Sequence, residues 1–129
     1  MFFLFYPLIM LIRYNPNKKN KKAGDCVIRA ISKVLNKSWM ETYINICIQG
    51  SIDYDMPSGN DVWGNYLIKN GFKKHILEDV LTVKQFTQKY PVGTYVLCTG
   101  SHVVACIDGD YFDAWDSGEE NIIYYYKKG

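Results

Sequence analysis

The sequence predicts an α+β domain in which helices come first and an antiparallel sheet follows. Apolar residues recur at helical spacing through the first two-thirds of the 129-residue chain, the period shortens to that of strands after Thr94, and glycine-bearing turns separate the short runs of the last third. Helices that precede strands, rather than alternating with them, pack on the sheet as two layers.

Asn15, Pro16 and Asn17 mark a turn. Residues 24–36 then place Val27, Ile28, Ala30, Ile31, Val34 and Leu35 on one stripe, so Cys26 falls in the first turn of a core-packed helix. Ser38 with Glu41 has the spacing of a capping box and opens a second helix carrying Trp39, Met40, Tyr43, Ile44, Cys47 and Ile48, expected to end near Gly50. Ser58 with Asp61 opens a third, which buries Val62, Trp63, Tyr66 and Leu67 and stops at Asn70 and Gly71. Thr82 with Gln85 opens a short fourth, closed before Pro91.

Residues 94–98, 102–107, 111–115 and 122–126 are rich in Val, Ile, Tyr and Phe and read as the strands of an antiparallel meander. Residues 72–76 offer one more strand, its alternation interrupted by Lys73 and Lys74. The domain spans residues 23–129, and residues 1–22 form an apolar and basic N-terminal arm or extension.

With 48% hydrophobic residues and one domain's length, the chain can wrap a single core. Fifteen basic against 13 acidic residues leave a formal charge of +2, too balanced to point to nucleic acid. Lys18, Lys19, Lys21 and Lys22 read as a solvated linker. Residues 1–12 are strongly apolar, but about half the length needed to cross a bilayer, and their first basic residue, Arg13, follows rather than precedes them. An edge strand or loose arm, an extension from an upstream start and a membrane anchor are the three readings of this run, the anchor ranking last. Cys26, Cys47, Cys98 and Cys106 lack the spacing of a disulfide framework, which favours a reducing, cytoplasmic setting.

A thiol attacks a carbonyl only as the thiolate, and a free cysteine with a pKa of about 8.5 is mostly protonated at neutral pH. A helix N-terminus and a nearby imidazolium both favour the anion. Cys26 has the first, so the search is for an imidazole and for a third group that orients it. His75 follows two lysines and reads as a surface residue, whereas His102 opens a strand directly after Gly100 and Ser101. A tight turn centred on Asp108, Gly109 and Asp110 pairs Ile107 with Tyr111, Ala105 with Asp113 and His102 with Asp116, whereas a two-residue loop would set Trp115 across from His102 with Asp116 still diagonal and near, so Asp116 is the expected orienting carboxylate ahead of Asp113. Cys98, His102 and Cys106 are evenly spaced, yet four residues of one strand span about 13 Å, too far for one zinc ion. Cys47, Cys98 and Cys106 read as core residues.

The segments Gly24-Asp25-Cys26-Val27-Ile28-Arg29-Ala30-Ile31, Ser101-His102-Val103-Val104 and Ala114-Trp115-Asp116-Ser117 resemble the papain-like cysteine peptidases. The nearest pattern is that of the bacteriocin-leader-processing peptidases and small phage-encoded relatives, over roughly residues 24–117. The resemblance implies a papain-like two-layer fold, a Cys26-His102-Asp116 triad and acyl transfer without metal or other cofactor. It also implies a polar side chain about six positions before the nucleophile that helps the cysteine N–H hold the oxyanion. That family position is usually Gln; here it is Asn20, one methylene shorter, with Asn17 as the fallback.

The expected function is a cytoplasmic cysteine hydrolase of phage or prophage origin, a peptidase or isopeptidase whose partner is a polypeptide substrate. The alternative is a papain-fold binding module or phage effector that engages a host protein without turnover, and a third reading is an acyltransferase using the same triad on a thioester.

Overall fold

The computed structural model describes residues 10–20 and 24–129. Helix α1 (Cys26–Leu35) forms where the apolar stripe predicts it, and Ala30, Ile31 and Val34 are buried. It ends at Asn36, whose left-handed φ of 55° suits a residue that tolerates that conformation. Helix α2 (Trp39–Asp53) starts at Ser38, whose hydroxyl accepts the Glu41 N–H. The Glu41 carboxylate pairs with Lys37. The helix runs beyond the expected stop at Gly50 and turns at Tyr54.

The face that α2 buries also differs from its apolar stripe. Thr42, Ile46, Gln49 and Gly50 pack inward, whereas Met40, Tyr43, Ile44 and Ile48 are exposed. Gly50 lies so close to the backbone of Asp55 and Pro57 that a β-carbon would meet the Asp55 carbonyl at 2.8 Å, so this small-residue side packs tightly.

Helix α3 (Asn60–Lys69) begins after Gly59 rather than Ser58 and buries Val62, Trp63, Tyr66 and Leu67. Strand β2 (Phe72–Thr82) is longer than expected and carries an irregularity between Ile76 and Leu81. Its last residue, Thr82, caps α4 (Val83–Lys89) in a full capping box with Gln85.

Strands β3 (Thr94–Cys98), β4 (Val103–Ile107) and β5 (Asp110–Asp113) form the expected hairpins, but β6 (Asn121–Lys128) does not continue the meander beside β5. It crosses to the far side of β3 and pairs there with both β3 and β2. The vacated edge of β5 is taken by β1 (Met10–Arg13), in parallel. The sheet order is therefore β1-β5-β4-β3-β6-β2, a mixed sheet rather than a wholly antiparallel one. Residues 10–13 of the expected N-terminal arm belong to this sheet; residues 1–9 and 21–23 lie outside the described residues.

Alternation along the central strands feeds two cores. Val96, Cys98, Val103, Ala105 and Tyr126 face the cluster built with α1, α2 and α3. Tyr95, Leu97, Val104, Cys106, Tyr111 and Ile122 face the opposite way, against Val83 and Phe86 of α4. The expected two layers are thus joined by a third, because β3 and β4 are apolar on both faces and α4 covers the second. Among the described residues, no helix is long and apolar enough to cross a membrane.

Candidate active site

Helix α1 projects its first residue, Cys26, from the helix side of the sheet toward the turn before β4. Asp25 occupies the N-cap but does not cap; its side chain turns to Arg29 and to the Trp39 indole N–H, which donates to it at 2.8 Å. No side-chain oxygen therefore caps the first turn, where Cys26 sits at the positive end of the helix. Cys26 is half-buried.

His102 is held by the preceding turn. Gly100 has a φ of 99°, where a side chain is disfavoured, and the Thr99 N–H donates to the His102 carbonyl at 2.9 Å. The ring is 8% exposed and stacks on Trp115, with centroids 4.5 Å apart. Its Nε2 meets Asp113 Oδ2 at 2.6 Å. That leaves Nδ1 free of Asp113, and Cys26 lies close enough to the ring for each group to shift the other's pKa.

The carboxylate hydrogen-bonded to His102 is Asp113, not the expected Asp116. Residues 108 and 109 form a two-residue turn, both with positive φ, so Ile107 pairs with Asp110, Cys106 with Tyr111 and Ala105 with Phe112. This register is one residue tighter than the expected one, and continuing it sets Trp115, not Asp116, across from His102. An Asp-Gly pair is the strongest sequence sign of such a turn, so the signal for the tighter register lay in the sequence. Asp116 is exposed and accepts from the Tyr111 hydroxyl at 2.6 Å and the Gly118 N–H at 2.9 Å. Those two bonds hold it below the usual carboxylate range and make it a turn-stabilising residue.

Asp113 is 1% exposed and saturated with donors. Oδ2 accepts from the Ser117 hydroxyl at 2.6 Å beside His102, while Oδ1 accepts from the Ala114 N–H at 2.7 Å and Arg29 Nη2 at 3.2 Å. Burial disfavours its anion, but His102, Ser117 and Ala114 outweigh that and lower its pKa. Burial likewise works against a charged His102, yet the bond to Asp113 and then the nearby Cys26 raise its pKa to about 9. For Cys26, burial opposes the anion, while the nearby His102 ring, the Val103 backbone and then the charge on Arg29 bring the thiol below its ordinary value. Both shifts run toward a thiolate and an imidazolium.

The other thiols differ. Burial pushes Cys98 and Cys106 up to about 12, leaving both as protonated core residues. Asn20, expected at the oxyanion, sits exposed in a turn with a φ of 51°, and its side-chain oxygen accepts from Asn15 Nδ2 at 3.1 Å. Asn17 Oδ1 accepts the Lys19 N–H at 2.9 Å. Neither is hydrogen-bonded to Cys26 or His102 among the described residues. Between this loop and the start of α2 lies a cavity of about 550 Å³, walled by Pro16, Trp39 and Met40 and rimmed by Lys18 and Lys19. Its Trp39 wall bonds directly to Asp25, the neighbour of Cys26. Among the described residues, no three His, Cys, Asp or Glu side chains are grouped so as to hold a metal ion.

Arg29 is the residue that sequence reasoning missed. It lies one turn along α1 from Cys26, 7% exposed, between Asp25 and Asp113. The available signal was an arginine placed between Ile28 and Ala30 on a helix whose neighbouring positions are apolar.

The structure thus brings together a half-buried thiol at a helix start, an imidazole beside it and a buried carboxylate bonded to that imidazole. Comparison with family models, with curated proteins and with solved structures found no match to this chain.

Proposed function

We propose that this chain is a small cysteine hydrolase of the papain-like type, a peptidase or isopeptidase working through Cys26, His102 and Asp113. The observation that carries the proposal is the bond of His102 Nε2 to the buried Asp113 at 2.6 Å, with Cys26 close enough to the same ring for each to shift the other's pKa.

In the proposed reaction, the Cys26 thiolate forms a bond to the carbonyl carbon of an amide, and the carbonyl π pair moves onto oxygen. The Cys26 backbone N–H at the start of α1 donates to that oxyanion. As the oxyanion collapses, the C–N bond breaks and His102 gives its proton to the departing amine. Water then attacks the thioester, giving a proton back to His102 as the thiolate leaves. The cavity between Pro16 and Trp39, linked to Asp25 through the Trp39 indole, offers an extended chain an apolar surface.

A non-catalytic binding module is the second reading, favoured by the apolar outer face of α2, where Met40, Ile44, Ile48 and Ile52 are each about half exposed.

Alkylation of the folded protein by iodoacetamide, with each cysteine followed by peptide mass spectrometry, separates the two. A hydrolase labels at Cys26 fastest, already below pH 7, and His102→Ala slows it by about tenfold or more. Labelling of Cys26 that is no faster than that of Cys47, or is indifferent to His102, refutes the hydrolase and leaves the binding module. Cleavage of a fluorogenic peptide library by wild type but not by Cys26→Ala then identifies the substrate.

A further inference from the structure

Cys26 and His102 belong to different parts of the fold, α1 and the turn before β4, so something must hold these parts in register. Arg29 does so. From the first turn of α1 its Nη1 bonds Asp25 Oδ1, and its Nη2 reaches Asp113 Oδ1 on β5 at 3.2 Å. Asp25 is fixed in turn by the Trp39 indole of α2. The guanidinium therefore lies between two buried carboxylates, 7% and 1% exposed, and its planar fork suits that double bridge as a lysine ammonium does not. Its Nε is buried without a hydrogen-bond partner, so the side chain is held by its two ends alone.

We infer that Arg29 is a positioning residue of the site, clamping the nucleophile's helix to the carboxylate that orients His102 and sharing that carboxylate's charge. The inference rests on the hydrolase reading above and deepens it.

The charge sharing has a direction. The charged groups facing His102 are Cys26 from α1 and Asp113 from β5; Arg29 faces both Asp113 and Cys26, and Asp25 faces Arg29. Cys98 on β3 is neutral, and Ser117 adds an uncharged donor to Asp113. Without the guanidinium, Asp113 acts on His102 alone and holds its proton more tightly, while Cys26 loses a neighbouring cation. Both changes move the reactive window to higher pH. Neutralising Asp25 frees Arg29 for Asp113 and removes an anion near Cys26, which moves the window the other way.

The test is the pH profile of Cys26 alkylation by iodoacetamide in wild type, Arg29→Gln, Arg29→Lys and Asp25→Asn, with near-ultraviolet circular dichroism recorded for each. Arg29→Gln is expected to shift both limbs upward by about half a pH unit or more, and Asp25→Asn to shift them downward by a similar amount. Arg29→Lys, which keeps the charge but not the fork, is expected to slow labelling with limbs within about 0.3 pH unit of wild type. If Arg29→Gln does not fold, the downward shift in Asp25→Asn and the unmoved limbs of Arg29→Lys decide. Limbs that stay in place in every folded variant, or that move together in one direction, overturn the clamp while leaving a reactive wild-type Cys26 intact. A wild-type Cys26 with no enhanced reactivity instead overturns the hydrolase reading itself.

Discussion

Asp113→Asn removes the group on which the geometry of the site converges. Its two oxygens accept from His102, Ser117, Arg29 and the Ala114 N–H at 1% exposure. An asparagine offers one acceptor oxygen, and its NH₂ must face one of the two donor pairs. Bonds to a charged partner contribute about 1.5–3 kcal/mol each, so a substantial loss of stability is expected at every pH. The part that belongs to His102 can be separated by pH. Raising the imidazole from 6.5 to about 9 corresponds to up to about 3 kcal/mol, shared between Asp113 and Cys26. The folded state binds this proton more tightly than the unfolded chain does. That contribution is therefore complete below about pH 6.5 and disappears as the pH rises through about 9.

Urea unfolding of wild type and Asp113→Asn at about pH 6 and about pH 9.5 measures it. The gap between the two proteins is expected to narrow by about 2 kcal/mol at the higher pH. Asp116→Asn, which touches Tyr111 and Gly118 rather than His102, is expected to show no such dependence. A gap that is the same at both pH values, or a narrowing that appears in Asp116→Asn instead, refutes the assignment of Asp113.

Three further outcomes follow from the packing. Thr82→Ala removes the hydroxyl that caps α4 and should cost about 1 kcal/mol in chemical unfolding, with little change in Cys26 alkylation. Gly64→Ala sets a β-carbon against the buried Tyr126 ring at its hydroxyl, so a loss of about 1–3 kcal/mol is expected from thermal unfolding, and an unchanged midpoint would mean that α3 can move away from the sheet. Cys98 and Cys106, both fully packed and with thiols raised to about 12, should resist alkylation at pH 8 until denaturant is added; labelling in the folded protein would show that the sheet opens locally.

Local chemistry made much of this protein legible in its sequence. The stripe from Val27 to Leu35 gave α1 and put Cys26 at its start, Ser38 and Thr82 marked where α2 and α4 begin, and the β-rich runs after Gly93 located β3 and β4 to within a residue. His102 stood out from His75 because it adjoins a glycine turn. Each of these features depends on neighbours within a few residues, which is what a sequence displays directly.

What only the tertiary structure decided is how those pieces meet. Both faces of β3 and β4 are apolar, so the chain has no local reason to place β6 beside β3 rather than β5, or α4 opposite α1; burial of the whole sheet decides it. The exposed stripe of α2 shows the same limit, since periodicity finds an apolar face but not whether anything covers it. The site turned on a single residue of register. A two-residue turn at Asp108 and Gly109 brings Asp113 to His102 and leaves Asp116 on Tyr111, because each step along a strand redirects every side chain beyond it. Arg29, distant in sequence from Asp113, could be assigned to the site only when the fold set the helix against that strand.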